Sequence, residues 1–442
     1  MMVEAKSTRW LQSPHLSWVL FALAAGVRLV YVGMGYEVAP QDTADYDEIA
    51  LNLLSGEGFV ARANWFGYEL HSWRPPLYPF FLAGIYWVFG YSHLAVRLVQ
   101  VLLGAATVVL VYRLGRRAHP PSAPIAGAIA AVYTPLVASA NEVMSETLFT
   151  FLLVLAVYLL TGVLGRAGAD PRRWPAALAA GATIGLAALT RPAALILWPV
   201  QVAVWIRRGW TSRRESPTVW WRCALWISAG TLLVLAPWTA RNWSVHGALV
   251  VISSQSGFIV ARSNAPSPDW KKGAEGWRID RGVFERTPSE VERDRNWLRQ
   301  GLSFPLHHPG SYLRLVGERF LRFVYFLTPA YNFWFATVFP LAVLGMWRCR
   351  SAEAHVLMTA LTLTSTAVFC AVLYGSSRFR LPMEPFLILF AAAFVHHCRQ
   401  QWGAHRTAVA TGALVAFNGL AWWQSEAMRS LVLGILSASG LK

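Results

Sequence analysis

Apolar runs long enough to cross a bilayer recur along almost the whole chain, separated by short polar stretches. A helix needs about 20 apolar residues to cross the hydrocarbon core. On that measure spans are predicted near 16–34, 93–113, 122–140, 144–164, 175–190, 192–206, 222–238, 332–347, 354–374, 381–397 and 405–423. A last apolar stretch, 431–436, is too short to add to them. Two longer segments break the pattern, 35–92 and 239–330. In the first, the stretch ADYDEIALNLLS (44–55) carries Ile49, Ala50, Leu53 and Leu54 along one side of a helix with an acidic first turn. Gly56-Glu57-Gly58 stops that helix. An apolar stripe beside spans places it along the membrane interface. The apolar run 77–89 is too short to span and predicts a second interfacial helix. No internal repeat is visible.

Composition agrees with the pattern. Apolar residues make up 55% of the 442 and charged residues 14%, against about 25% charged in a soluble domain. The predicted fold is therefore all-α, a polytopic transmembrane bundle of about 11–13 spans. Disorder, a disulfide scaffold and a cytosolic enzyme are excluded. The net charge of +16 changes the picture only through its placement. One set of alternate short loops carries Arg113, Arg116 and Arg117, then Arg172 and Arg173, Arg207 and Arg208, Arg348 and Arg350, and Arg399 and Arg406. They fall on the same side as the N-terminus, which the positive-inside rule makes cytoplasmic. Both long segments then lie on the outer side, where any chemistry is expected. The chain divides into an N-terminal membrane module (1–238) containing the first outer loop, an outer segment (239–330) and C-terminal membrane helices (331–442). The surplus charge suits anionic lipid or a phosphate-bearing substrate, and nucleic acid is not an expected partner. Cys223, Cys349, Cys370 and Cys398 have no metal-binding spacing.

Candidate chemistry gathers at the outer span ends. Asp42 and Asp45 stand at the start of the first interfacial helix, where helix capping is the alternative reading to a general base. Glu142 and Glu146 follow at i,i+4 in NEVMSET, which predicts both on one helix face at the lip of the bilayer. Arg74, Arg191, Arg241, Arg378 and Arg380 sit at predicted outer span ends. Each alone reads as a side chain snorkelling to headgroups. As a set on the carboxylates' side they could bind a phosphate by bidentate hydrogen bonds. Arg28, inside the first span, is expected to pair with an outer-face acid. Trp65, Trp73, Trp238 and Trp243 are candidates for stacking on a sugar, with an interface belt as the alternative.

The order of these motifs resembles a known family. One span is followed by Asp42-x-x-x-Tyr46 and IALNLLSGEGF, then RPPLYPFFLAGIYWVFG, VRLVQVLLG, MSETLFTF, LTRP, PWTARNW and SRFRLPMEPF. Over roughly residues 16–400 this resembles the bacterial GT-C glycosyltransferases of the dolichyl-phosphate-mannose protein mannosyltransferase-like group, which includes the aminoarabinose transferases of lipid A. The resemblance implies a helical bundle with interfacial helices between its first two spans. It implies a polyprenyl-phosphate sugar donor, used at the periplasmic face of a bacterial inner membrane, with the N-terminus cytoplasmic. The family's essential aspartate falls on Asp42, with Asp45 as the other candidate. The basic residue before Pro-Pro falls on Arg74; it is lysine after glutamate in the aminoarabinose transferases, whereas here Trp73 precedes it. The second acidic position falls on Glu146. The same motifs bring Tyr46, Trp238 and Asn242 into the candidate substrate-binding set.

The chemistry these residues suit is a single inverting displacement. A base, Asp42, takes the proton of an acceptor hydroxyl of unassigned identity as its oxygen attacks the anomeric carbon. Fixed arginines stabilise the departing lipid phosphate. No cofactor is required; a divalent cation is optional, and Asp42 and Glu146 would hold it. A polysaccharide ligase or polymerase using lipid pyrophosphate, and a lipid-sugar flippase, are the competing readings. A flippase would carry ionisable groups near the midplane and repeated halves.

Overall fold

A computed structural model describes residues 15–35, 41–62, 68–165, 173–211, 217–264, 289–324, 332–348, 353–373, 375 and 377–424. Among them the chain is helical, with a single antiparallel bridge, Ala61 to Leu70. The first span is α1, His15–Gly33. The two interfacial helices follow as α2, Gln41–Leu54, and α3, Leu77–Phe89. Ile49 and Ala50 of α2 are buried, as the stripe requires, and Gly56 takes the positive φ that stops the helix. Next come α4, His93–Ala118, α5, Ala123–Val132, and α6, Thr134–Ala138. They are followed by α7, Glu146–Leu164, α8, Arg173–Thr190, α9, Leu197–Thr211, and α10, Pro217–His246. Six described helices are long and apolar enough to cross a membrane. The other predicted spans are also helices, shorter or less apolar.

The predicted span 122–140 is broken. Pro135 has no N–H to offer Ala131, its partner four residues back, and Tyr133 turns extended (ψ 103°) between α5 and α6. Arg28 occupies the break. Its Nη1 donates to the carbonyls of Ala24 (3.0 Å) and Ala131 (3.3 Å), and its Nη2 to that of Leu136 (3.4 Å). The expected pairing of Arg28 with an outer-face acid is thus corrected. The guanidinium takes the Ala131 carbonyl that Pro135 leaves without its helix partner, and Gly104 leaves it room, since a Cβ there would lie 2.6 Å from Arg28 Nε.

Backbone approach holds the bundle together where lipid supplies no hydrophobic drive between helices. A Cβ on Gly181 of α8 would stand 1.9 Å from the carbonyl oxygen of Ile227 on α10. One on Gly230 of α10 would stand 2.2 Å from that of Leu178. Thr231 Oγ1 donates across the contact to the Gly181 carbonyl at 3.0 Å.

The second outer segment contributes α11, Ser256–Asn264, α12, Glu290–His307, and α13, Pro309–Val324. The C-terminal helices are α14, Asn332–Arg348, α15, Glu353–Ala371, the short α16, Ser377–Arg380, and α17, Glu384–Trp423. The helix α17 joins the last two predicted spans, with a break at Gly403 (φ 81°).

The two outer segments meet on one side of the bundle. The carboxylate of Glu290 accepts the backbone N–H groups of His71 (2.9 Å) and Ser72 (3.2 Å) and the hydroxyl of Ser254. Ser254 N–H in turn donates to the Ser72 carbonyl at 2.8 Å. Trp73 is buried against Phe258 and Trp297, with ring centroids 5.1 and 6.5 Å away. Beneath α2 and α3 lies the buried turn 139–145. Gln100 Nε2 donates to the carbonyls of Ala140 and Glu142, and Thr43 Oγ1 to that of Val143. Because α7 begins only at Glu146, Glu142 sits in this turn. The predicted shared helix face of Glu142 and Glu146 therefore does not form: the i,i+4 rule needs a helix through both positions, and Gln100 instead fixes the turn's carbonyls.

Candidate active site

A cavity of about 610 Å³ opens where the first outer loop, α11 and the outer ends of α8 and α15 converge. Four arginines line it: Arg74, Arg191, Arg262 and Arg378. Tyr46, Thr190, Ser253 and Gln255 add polar groups, while Phe149, Ile196, Phe258, Phe369 and Leu373 supply apolar wall. A polar end of fixed cations beside an apolar wall suits an amphiphile with an anionic head.

Each arginine is placed by its own element. Arg74 precedes Pro75-Pro76, which lead into α3. Its Nε and Nη2 both donate to Asp45 Oδ2, at 3.0 and 2.6 Å, and its guanidinium stands 5.2 Å from the Tyr46 ring. Asp45 and Tyr46 are successive on α2, so one helix turn both fixes the cation and walls its pocket. Arg191 ends α8, where Pro192 stops the α-helix. Arg378 comes from α16, which precedes the long C-terminal helix. Arg191 Nη2 donates to Glu146 Oε1 at 3.1 Å, and Arg378 Nε donates to the same oxygen. Glu146 is buried (2% exposed) and does not itself line the cavity. Two guanidiniums against one carboxylate leave surplus positive charge at the wall, in a setting drier than water, where it acts strongly.

The sequence-derived set divides in three. Tyr46, Arg74, Arg191 and Arg378 line the cavity, with Asp45 and Glu146 behind them. Trp238, Arg241 and Asn242 lie outside its lining and join the outer loops. Trp238 Nε1 donates to the Ile252 carbonyl at 2.7 Å. Arg241 reaches the carbonyls of His71 (2.6 Å) and Phe59 (3.1 Å), and Asn242 Nδ2 that of Val250 (3.0 Å). Arg380 turns into the bundle, where it donates to Glu384 Oε1 at 2.8 Å with its guanidinium 3.5 Å from the Phe335 ring. Trp73 is core, Trp243 is exposed, and Trp65 lies outside the described residues. Asp42 is the second residue of α2, one turn before Tyr46, and its side chain lies outside what is described. Arg262 was not among the expected residues. Its only signal is a cation inside the otherwise apolar run GFIVA-R of the second segment.

Glu146 Oε1 is already shared by two cations. Among the described residues no three His, Cys, Asp or Glu side chains gather as a metal set.

Fold and cavity together define a polytopic helical membrane protein with an arginine-lined cavity at one end of its bundle. Residues 73–239 match the family model described as dolichyl-phosphate-mannose-protein mannosyltransferase. No curated protein matches the chain. Among solved structures, the oligosaccharyltransferase of Archaeoglobus fulgidus, tethered with an acceptor peptide, superposes with a TM-score of 0.61 at 16% identity. The match covers 93% of this chain and 55% of that one. ArnT from Cupriavidus metallidurans, bound to undecaprenyl phosphate, superposes with a TM-score of 0.57 at 16% identity, covering 97% and 73%. The chain thus spans about half the length of the archaeal enzyme. The family model overlaps the motifs that carry the resemblance over residues 73–239, and the solved structures share the fold.

Proposed function

We propose that the protein is a glycosyltransferase. It moves a monosaccharide from a polyprenyl-phosphate donor to a hydroxyl acceptor at the outer face of a bacterial inner membrane, with its N-terminus in the cytoplasm. The observation that carries the reading is the cavity wall, where Arg74, Arg191 and Arg378 are held by buried or half-buried carboxylates beside apolar surface. The similarity to ArnT, solved with undecaprenyl phosphate, supports the donor class. In the proposed step the acceptor oxygen attacks the anomeric carbon, the bond from that carbon to the phosphate oxygen breaks, and configuration inverts. Asp42 takes the hydroxyl proton. The arginines meet the charge that grows on the leaving phosphate. Asp45 and Glu146 act as positioning residues: Asp45 fixes the guanidinium of Arg74, and Glu146 those of Arg191 and Arg378, before the donor arrives.

The test offers purified protein a panel of polyprenyl-phosphate sugars and follows free polyprenyl phosphate by mass spectrometry. Wild type is expected to release it from one donor, and Asp42→Asn to fold but release none. Full turnover by that variant removes Asp42 as base. Release only from pyrophosphate-linked donors overturns the transferase reading in favour of a ligase or polymerase.

A further inference from the structure

Helix α13, in the second outer segment, has three distinct faces. Tyr312, Val316, Arg319 and Phe323 recur at helical spacing on its inner face. That face rests on the last turn of α15, where a span ends. Tyr312 Oη donates to the Ala371 carbonyl, and Arg319 Nη1 to those of Ala371 (3.1 Å) and Cys370 (3.3 Å). Phe323 stacks on Phe369 with centroids 6.1 Å apart. At about 100° per residue, one flank then presents Leu313 and Phe320, which are 69% and 46% exposed, while Leu321, 56% exposed, points away from the bundle. Past Leu321 the surface turns polar with Arg314 and Glu318, paired at 3.2 Å, and Glu318 stands roughly 150° around the helix from Leu313 and Phe320. Leu306, at the end of the preceding helix α12, is 78% exposed and extends the uncovered apolar surface.

The height of α13 is set by its seat. It caps the carbonyl end of α15, and the residue after that helix, Val372, is itself partly exposed and apolar. The apolar flank therefore continues a lipid-facing surface at the level where hydrocarbon gives way to water. A helix with protein on one face, large apolar groups on one flank and an ion pair on the other matches that boundary.

We propose that α13 is a bilayer-surface helix whose Leu313 and Phe320 lie in the outer leaflet, fastening the second outer segment to the membrane as well as to the bundle. The inner face gives this a consequence for the cavity. Phe323 and Val316 pack in one cluster with Phe369, Leu373 and Phe379, all three of which line the cavity. Seating α13 in lipid thus holds one wall of the cavity in place.

The test places nitroxide labels on full-length protein in phosphatidylcholine–phosphatidylglycerol nanodiscs, through Leu313→Cys and Phe320→Cys on the apolar flank and Glu318→Cys on the charged flank. Unsubstituted protein gives the background from native cysteines. On the apolar flank the ratio of collisions with oxygen to collisions with aqueous nickel chelate is expected to be several-fold higher than on the charged flank. Equal access of nickel to both flanks overturns the proposal. So does shielding of Leu313→Cys and Phe320→Cys from both reagents, which marks a protein partner instead. Low nickel access at Glu318→Cys counts against it equally, because that flank must face water.

Discussion

Glu146 gives the clearest case of a residue whose type was legible and whose role was not. A carboxylate at the lip of a span is readable from the sequence. That one of its oxygens receives both Arg191 and Arg378 depends on where α8 and α16 end in space. Glu146→Gln keeps the shape and removes the charge, leaving two guanidiniums facing each other. Breaking a buried pair in this way costs about 3–5 kcal/mol. The variant is expected to lose thermal stability in detergent and to bind polyprenyl phosphate at least about tenfold more weakly, about 1.4 kcal/mol. Unchanged binding would detach Glu146 from the arginines' task. Arg241, Trp238 and Asn242 carried the same sequence signal as the cavity arginines, a polar or aromatic group at an outer span end. Only their orientation separates them, and orientation is a tertiary property. A second residue-scale prediction concerns Asp294, which accepts the N–H groups of Gly257 (2.7 Å) and Phe258 (3.3 Å) at the start of α11. Burial pushes its carboxyl up to about 6, with the charge of Glu290 adding to the effect. The native state then holds this proton more tightly than the unfolded chain. Its contribution is full below the ordinary value of 3.8 and is lost as pH rises through about 6. Asp294→Asn keeps an acceptor without the charge. It is expected to raise Tm above wild type at pH 8 and to match wild type near pH 4. A constant difference across that range would refute the assignment.

At the scale of elements, run length and turn signals carried the most information. The two short helices between the first two spans, their glycine stop and the bounds of the two long segments all follow from where apolar runs begin and end. Two features escaped that reading. The break between α5 and α6 looked like continuous apolar sequence; Pro135 interrupts it, and a buried cation, Arg28, takes the carbonyl of Ala131 that the proline frees. The contact of α8 with α10 depends on Gly181, Gly185 and Gly230, small residues that hydropathy registers only as neutral. They matter because backbones touch there. Gly181→Ala would drive a methyl group against the Ile227 carbonyl, 1.9 Å from the new Cβ. Backbone cannot step aside as a side chain can, so the helices must separate. The expected cost is about 1–3 kcal/mol, read as a lower Tm in detergent. Gly26→Ala, where no neighbour lies within 4 Å of the added carbon, is the control and should change Tm little.

For the molecule as a whole, the decisive relation is that its two long loops are one assembly. Charge bias in short loops predicted that both lie opposite the arginine-rich ends, but it could not say that they touch. Glu290 makes the connection, tying His71 and Ser72 of the first segment to Ser254 and α12 of the second. The cavity exists only because of that union, since Tyr46 and Arg74 come from one segment and Gln255 and Arg262 from the other. Sidedness can therefore be tested with single exposed positions. In intact cells a membrane-impermeant maleimide is expected to label Ser55→Cys in the first segment and Ser303→Cys in the second. It should reach Arg113→Cys, near the far end of α4, only after permeabilisation. Labelling of Ser55→Cys and Ser303→Cys from opposite sides would dissolve the joined assembly and the cavity with it. If both instead require permeabilisation, the assembly stands but faces the cytoplasm. The arginine-rich ends would then lie outside, against the charge rule, and a donor would have to be met on the inner leaflet.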